Sequence, residues 1–311
     1  MPVKNKNKMK KLILLSVFAF AAVFACGQAV AATITGKTFI NANYTGVKTI
    51  KVSQTVLDVN IVKSSGSKTG VKCYVEKMIV NDSDYAVKAR LVGSTLEIYQ
   101  EPKNNLSFRD TKGYINISAA PGVNVIIVNS VSGDASVKGM DLDNLSLSTV
   151  SGDISVGQVS ASDVSLKSVS GDISVERTVA STIMSVKTTS GDVDAGNSRG
   201  GKIDVASVSG DVKASNIDFS LAKCSTTSGD VYASMAGSIK EVAASSVSGD
   251  IKLYFKGNIR DNNYTLSGVS SDIVIAGYAK AKKKFVLEGN SGVSVKANAV
   301  SGDIYISEII D

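Results

Sequence analysis

The 311-residue chain contains no histidine and no tryptophan, only three cysteines and three prolines, and aromatic residues make up 6%. Without histidine there is no Ser-His-Asp or Cys-His nucleophile system and no imidazole-ligated metal site. Cys26, Cys73 and Cys224 are too dispersed for a thiolate metal cluster, and no Gly-x4-Gly-Lys-Ser/Thr phosphate loop is present. So few prolines leave long β-structure uninterrupted. So few aromatics, against abundant Val, Ile, Ser and Thr, imply narrow layered β-structure with small inward side chains. The chain also lacks a genuine excess of one charge. Of the net +6, Lys4, Lys6, Lys8, Lys10 and Lys11 supply five, and all precede an apolar run. The remainder is nearly neutral, so charge gives no case for nucleic-acid binding.

That basic stretch and the apolar run Leu12 to Ala25 have the form of an export signal, too short to span a bilayer comfortably. Two processing routes fit. Ala29-Val30-Ala31 is a small-x-small site for cleavage after residue 31. Val23-Phe24-Ala25-Cys26 has the form of a lipobox, which would remove residues 1–25 and lipidate Cys26. Either route places the protein outside the cytoplasm, in the periplasm, on the outer surface or in the medium, with no transmembrane span after processing. A disulfide is permitted there. Yet Cys73 alternates with Val71 and Val75, and Cys224 falls in an apolar column, so both read as small buried hydrophobes.

The dominant signal is an internal repeat. Gly133, Gly152, Gly171, Gly191, Gly210, Gly229 and Gly249 each lie in Ser-Gly-Asp, at spacings of 19, 19, 20, 19, 19 and 20. A degenerate copy follows at Ser270-Ser271-Asp272, and a last one at Ser301-Gly302-Asp303. Aligned on the glycine, apolar columns stand seven and five residues before it (Leu145 and Leu147, for example) and two and four after it (Ile154 and Val156). A Ser/Thr column stands three before it (Ser130, Thr149, Ser168, Thr188, Ser207, Thr226, Ser246). An apolar period of two is a strand with one buried face. Each repeat therefore holds two short strands flanking a bend, and a short third leg such as residues 158–161 returns the chain. One unit cannot bury its face alone; stacking units in register does so and satisfies the backbone. The expected fold is all-β: a parallel β-solenoid, or single-stranded β-helix, with rungs of 19–20 residues over 122–311. The glycine, Gly302 included, is expected to supply a positive-φ bend, with Ser and Asp closing it by hydrogen bonds. The inward Ser/Thr column is expected to form a hydroxyl ladder.

Residues 32–121 lack the marker but still alternate, as in Thr55-Leu57-Val59-Ile61 and Leu96-Ile98. They read as an irregular β N-terminal cap over the first rung, needed because an open solenoid end is an unpaired edge. Phe285, Leu287, Ile304, Ile306, Ile309 and Ile310 are bulkier than the middle rungs and are expected to close the other end.

The repeats Ser168-Val169-Ser170-Gly171-Asp172-Ile173-Ser174-Val175 and Ser207 to Val212, with Gly93 to Ile98 and Ile115-Asn116-Ile117 ahead of Pro121-Gly122, resemble the bacterial "putative adhesin" family, which carries a β-strand-repeat domain of unknown function. The resemblance covers residues 45–311. It implies a right-handed solenoid in an envelope or surface protein and brings no catalytic residues.

Carboxylates are the one chemistry left. Asp153, Asp172, Asp192, Asp211 and Asp230, with Asp134, Asp250 and Asp272, form a column. A catalytic pair, as in polysaccharide-cleaving β-helices, is a local exception. A feature repeated along a rod serves the rod. Carboxylates one rung apart repel by roughly 1 kcal/mol even in water. They must be splayed, hydrogen-bonded to backbone, or bridged by a hard cation such as calcium. Lys280, Lys282, Lys283 and Lys284 read as a solvated loop or a contact for an anionic surface. Tyr232 and Tyr305 should point outward, where they could stack on sugars. The reading is a non-enzymatic surface-binding module without a cofactor, whose partner is a surface glycan or another envelope protein. The alternatives are a self-assembling envelope scaffold and a polysaccharide-cleaving enzyme.

Overall fold

The computed structural model describes residues 32–309 except 104, 238 and 291. The leader, both processing sites, Cys26 and Ile310 lie outside the described residues. In chain order the strands are β1 (Ala32–Tyr44), β2 (Thr49–Ser53), β3 (Asp58–Lys63), β4 (Thr69–Val80), β5 (Ala86–Val92), β6 (Thr95–Glu101), β7 (Phe108–Ala119) and β8 (Val125–Asn129). The repeats supply β9 (Ala135–Lys138), β10 (Asn144–Ser148), β11 (Ile154–Gly157), β12 (Ser160–Lys167), β13 (Ile173–Glu176), β14 (Val179–Lys187), β15 (Val193–Gly196), β16 (Arg199–Ala206), β17 (Val212–Ser225), β18 (Val231–Met235), β19 (Glu241–Ser246) and β20 (Ile251–Phe255). A 3-10 turn over Ile259–Asp261 leads to β21 (Asn263–Ile275), β22 (Ala279–Leu287), β23 (Ser294–Ala299) and β24 (Ile304–Glu308).

The fold is all-β, and the repeats stack in parallel. β10 pairs with β8 and β12, and Leu145 registers with Ile126 and Val164. β11 pairs with β9 and β13, and Ile154 registers with Ala135 and Ile173. The two columns on either side of the Ser-Gly-Asp corner are therefore two faces of one rod. Their inward residues, such as Leu147, Leu166, Val156 and Val175, are buried. Volume is traded between legs of a rung. Phe219 registers with Gly200, where a Cβ would lie 3.1 Å from the ring. Such a large side chain fits because the neighbouring rung has none there.

The sequence places a cap over residues 32–121; the structure threads part of that region into the rod. β2 pairs in parallel with β8 on one side and β6 on the other, and β3 likewise with β9 and β7. Residues 49–63 are thus a rung in their own right, and β6 and β7 form the one outside it. Among the described residues antiparallel pairing is confined to the ends; at this one β5 covers β6, and β4 covers β7 and is itself covered by β1.

The other end repeats this device. β23 and β24, the last strands in sequence, are not last in space. β23 lies between β19 and β21, and β24 between β20 and β21. β22 then pairs antiparallel with β21 as the terminal edge. Ile304 and Ile306 consequently lie inside the stack, fully buried, while Phe285 and Leu287 pack partly buried at the end. Aromatics gather where the rod closes. Tyr85 makes edge contacts with Phe39 and Phe108 at one end, and Tyr264 packs on Phe285 at the other.

Candidate functional site

The Ser-Gly-Asp corners hold rungs together, by a geometry other than the expected bend. None of the corner glycines has a positive φ. Glycine is required there by close approach. A Cβ on Gly171 would meet the Gly152 carbonyl oxygen at 2.0 Å, and one on Gly191 would meet that of Gly171 at 2.2 Å. Gly133, Gly152, Gly210, Gly229, Gly249 and Gly302 face the carbonyl oxygen of a neighbouring rung at 2.0–2.4 Å, that of Leu57 in the case of Gly133. The left-handed residues lie at the next corner instead, six positions on: Gly139, Gln158, Arg177, Asn197 and Asn216, with φ of 69°, 56°, 50°, 50° and 53°. Their mixed identities hide that column from a reading of the sequence, although Asn is one of the residues that tolerates such a conformation.

The hydroxyl column works through the glycines rather than through hydroxyl-to-hydroxyl bonds. Gly171 N–H donates to Ser168 Oγ at 2.8 Å, and Thr188 Oγ1 donates back to the Gly171 carbonyl at 3.0 Å. Ser207, Thr226 and Ser246 donate likewise to Gly191, Gly210 and Gly229.

Each aspartate reaches the next rung. Asp153 Oδ1 accepts the Asp172 N–H at 2.8 Å, Asp172 that of Asp192, Asp192 that of Asp211, and Asp211 that of Asp230. The series begins one rung earlier than the sequence marker, at Asp58, which accepts from Asp134. It ends with Asp250 accepting from Asp303, and Asp303 from Asp272. Asp58 was hidden because Leu57 stands in the glycine position. At Asp58 partial desolvation raises the carboxyl pKa, opposed by the Asp134 N–H and reinforced by the Asp134 charge. Among the described residues no three Asp, Glu, Cys or His side chains converge as metal ligands. Cys73 and Cys224 are free and buried, each thiol pushed up to about 12 by desolvation.

With the corners committed to stacking, binding chemistry falls to the outward sides. The face formed by β9, β11 and β13 presents Ser136, Ser155 and Ser174 in one column. Further along, that column becomes Lys213, Tyr232, Lys252 and Tyr305. Tyr254, one outward position on in β20, joins the two tyrosines. Its ring centroid lies 5.1 Å from that of Tyr232 and 6.1 Å from that of Tyr305. All three rings are half-buried. Lys213 is paired with Asp194 at 2.9 Å, and Lys252 lies 3.7 Å from Asp250. The sequence marks Tyr232 and Tyr305 but not Tyr254, whose position is outward only because the strand extends to Phe255.

The lysine run is a strand, not a loop. Lys280, Lys282 and Lys284 lie on β22, opposite Val274, Asp272 and Ser267. Lys283, with a φ of 65°, sits where β22 bends round the corner beside it. No helix among the described residues is long and apolar enough to cross a membrane.

Among solved structures, the chain is similar to a protein described as a putative adhesin from Bacteroides fragilis NCTC 9343, at 16% identity, over 88% of this chain and 97% of that one, with a TM-score of 0.44. It is also similar to a putative adhesin from Parabacteroides merdae ATCC 43184, at 12% identity, over 90% and 96%, with a TM-score of 0.45. A protein described as a putative lipid binding protein from Parabacteroides distasonis ATCC 8503 aligns at 17% identity, over 89% and 97%, with a TM-score of 0.49. No curated protein matches. The Toastrack DUF4097 family profile matches residues 47–246 and 185–307, spanning both the threaded rungs and the repeats, and the chain belongs to that family.

Proposed function

We propose that this protein is an exported, non-catalytic surface-binding module that recognises saccharide on its tyrosine-bearing face. The observation that carries the reading is the Tyr232–Tyr254–Tyr305 row on a parallel sheet. Aromatic faces are electron-rich and attract the partly positive C–H groups of a sugar ring, while phenolic hydroxyls bond its oxygens. Rungs repeat at about 4.8 Å, so the row presents regularly spaced contacts to an extended chain. Export rests on the basic and apolar leader, with either cleavage after residue 31 or lipidation at Cys26 as its outcome. Mass spectrometry of the protein's mature N-terminus distinguishes these routes.

The ends weigh against an end-stacking scaffold, because antiparallel strands β1, β5 and β22 terminate the parallel ladders there and lysines line the β22 edge. The test is a glycan array probed with purified protein. Binding is expected to fall at least about tenfold in Tyr254→Ala, a loss of about 1.4 kcal/mol, and to persist in Ser155→Ala on the same face. Equal binding by Tyr254→Ala and the parent would overturn the site. Concentration-dependent sedimentation without glycan binding would favour the scaffold.

A further inference from the structure

A separate cavity of about 510 Å³ opens at the other end of the rod, between β2, β5, β6 and the first Ser-Gly-Asp corner. Its origin is a missing corner. Between β6 and β7 the outermost rung carries no Ser-Gly-Asp in its sequence. In the next rung Gln54 replaces the usual hydroxyl residue and Leu57 the usual glycine. Gln54 fills its role, donating to Ser130 Oγ at 2.7 Å and accepting from Leu57 N–H at 2.6 Å. Gln100, one rung further out, has nothing equivalent. It is 91% buried, lines the cavity, and its Oε1 has no hydrogen-bond donor. Among the described residues the only other buried side-chain oxygen or nitrogen without a partner is Thr111 Oγ1. A buried acceptor left unpaired is costly, and an unexplained one points to a missing donor.

The remaining lining defines what would bring that donor. Lys51, Arg90 and Lys103 face the cavity against a single carboxylate, Glu97. Arg90 is spent on Glu97, at 2.6 Å. Among the described residues Lys51 and Lys103 have no ion pair, and Lys103 rests 5.3 Å from the centroid of the Tyr99 ring. Ser53 and Asn129 add polar groups, and Tyr99 and Val131 an apolar wall. Two unneutralised cations call for an anion, while the buried amide acceptor calls for a hydroxyl. The volume lies within the roughly 300–1,000 Å³ of small-molecule sites, far more than an inorganic ion needs.

We propose that this cavity is a second binding site, distinct from the tyrosine face, that takes an acidic sugar unit. Its carboxylate lies against Lys51 and Lys103, and one of its hydroxyls donates to Gln100 Oε1. Oε1 itself is buried, and in the bound state rotation about the terminal amide torsion, which is soft, turns it toward the cavity.

The test is calorimetric titration of the purified protein with sodium D-glucuronate, D-glucose and inorganic phosphate. Glucuronate is expected to bind saturably and to weaken with added salt, with glucose and phosphate each at least about tenfold weaker. Lys51→Gln and Gln100→Met are each expected to lower glucuronate affinity about tenfold or more. Gln100→Met should also raise Tm, because the unpaired acceptor is gone. Tyr254→Ala should leave glucuronate binding unchanged, which separates this site from the tyrosine face. Phosphate binding as tight as glucuronate would overturn the saccharide assignment. Absence of saturable glucuronate binding, a raised Tm with unchanged affinity in Gln100→Met, or loss of binding in Tyr254→Ala would overturn the site.

Discussion

At the scale of single residues, each corner position has a separate reason for its identity, and substitutions can tell those reasons apart. If glycine were needed for a left-handed bend, Asn would be a tolerable replacement and Ala a poor one. Because the obstruction is the carbonyl of the rung below, any Cβ fails. Gly171→Ala and Gly171→Asn are both expected to destabilise by about 3 kcal/mol or more, read as a loss in thermal or denaturant melts. Gly302→Ala should cost as much as Gly171→Ala. Its Cβ would meet the Gly249 oxygen at 2.2 Å, although position in the sequence alone makes Gly302 a lightly loaded terminal copy. Asp172→Asn should be nearly neutral, since an amide oxygen still accepts the Asp192 N–H and one charge leaves the row.

Asp58 gives this row its pH dependence. A carboxyl whose pKa is raised on folding binds protons more readily in the folded state, so its ionisation opposes folding at neutral pH. That penalty is relieved as pH falls through the raised pKa and is gone below the unfolded value near 3.8. Asp58→Asn should therefore stabilise at pH 7, modestly because the residue is exposed, and make no difference in strong acid. Urea titrations of both proteins across pH 3–7 check this. A destabilised Asp58→Asn at pH 7 would mean that the charge on Asp58 helps its hydrogen bond more than desolvation opposes it.

At the scale of elements, the strands of the repeats were legible because their apolar period of two recurs in fixed columns. The edges were not. β22 carries Lys280, Lys282, Lys283 and Lys284 in a segment whose composition reads as loop. In place, the lysines decorate the outermost strand, whose free backbone groups would otherwise template another chain. Among the described residues only Lys282 lies within 4.0 Å of a carboxylate, that of Asp272, and such an exposed pair contributes little. Their main service is then to discourage pairing rather than to stabilise the fold. Replacing Lys280, Lys282 and Lys284 with Thr is expected to leave the melting temperature within a few degrees but to promote association. Light scattering at increasing protein concentration measures this. A monomeric triple variant would show that another feature guards the edge, and a large fall in Tm would give the lysines a structural role.

At the scale of the whole molecule, rung order was the part that no column could reveal. Parallel in-register stacking offers nearly the same interface to every rung, so periodicity says that rungs stack and is silent on which is whose neighbour. The departures from sequential order come where the hairpins β5–β6 and β21–β22 place a strand outside one that precedes or follows it. The cavity at β6 follows from such a departure, which is why its lining residues were not singled out as a group by sequence. This order predicts unequal responses to deletion. Removing residues 153–171 joins Gly152 to Asp172 and excises one complete middle rung. Its neighbours then face each other with matching columns, Leu147 near Val186 and the Thr149 hydroxyl near Thr188. In a nearest-neighbour solenoid such a deletion removes one interface and leaves the rest. The shortened protein is expected to remain folded with a modest loss of stability. Ending the chain after Leu287 removes fewer than thirty residues but takes β23 and β24 from between β19, β20 and β21. The β21–β22 hairpin then loses its parallel partners, and β19 and β20 become open edges. This truncation is expected to expose the last regular rungs to proteolysis and aggregation, measured by limited digestion and light scattering. A truncated chain as resistant as the parent, or a rung deletion that fails to fold, would contradict the inserted order of the final strands or the equivalence of the middle rungs, respectively.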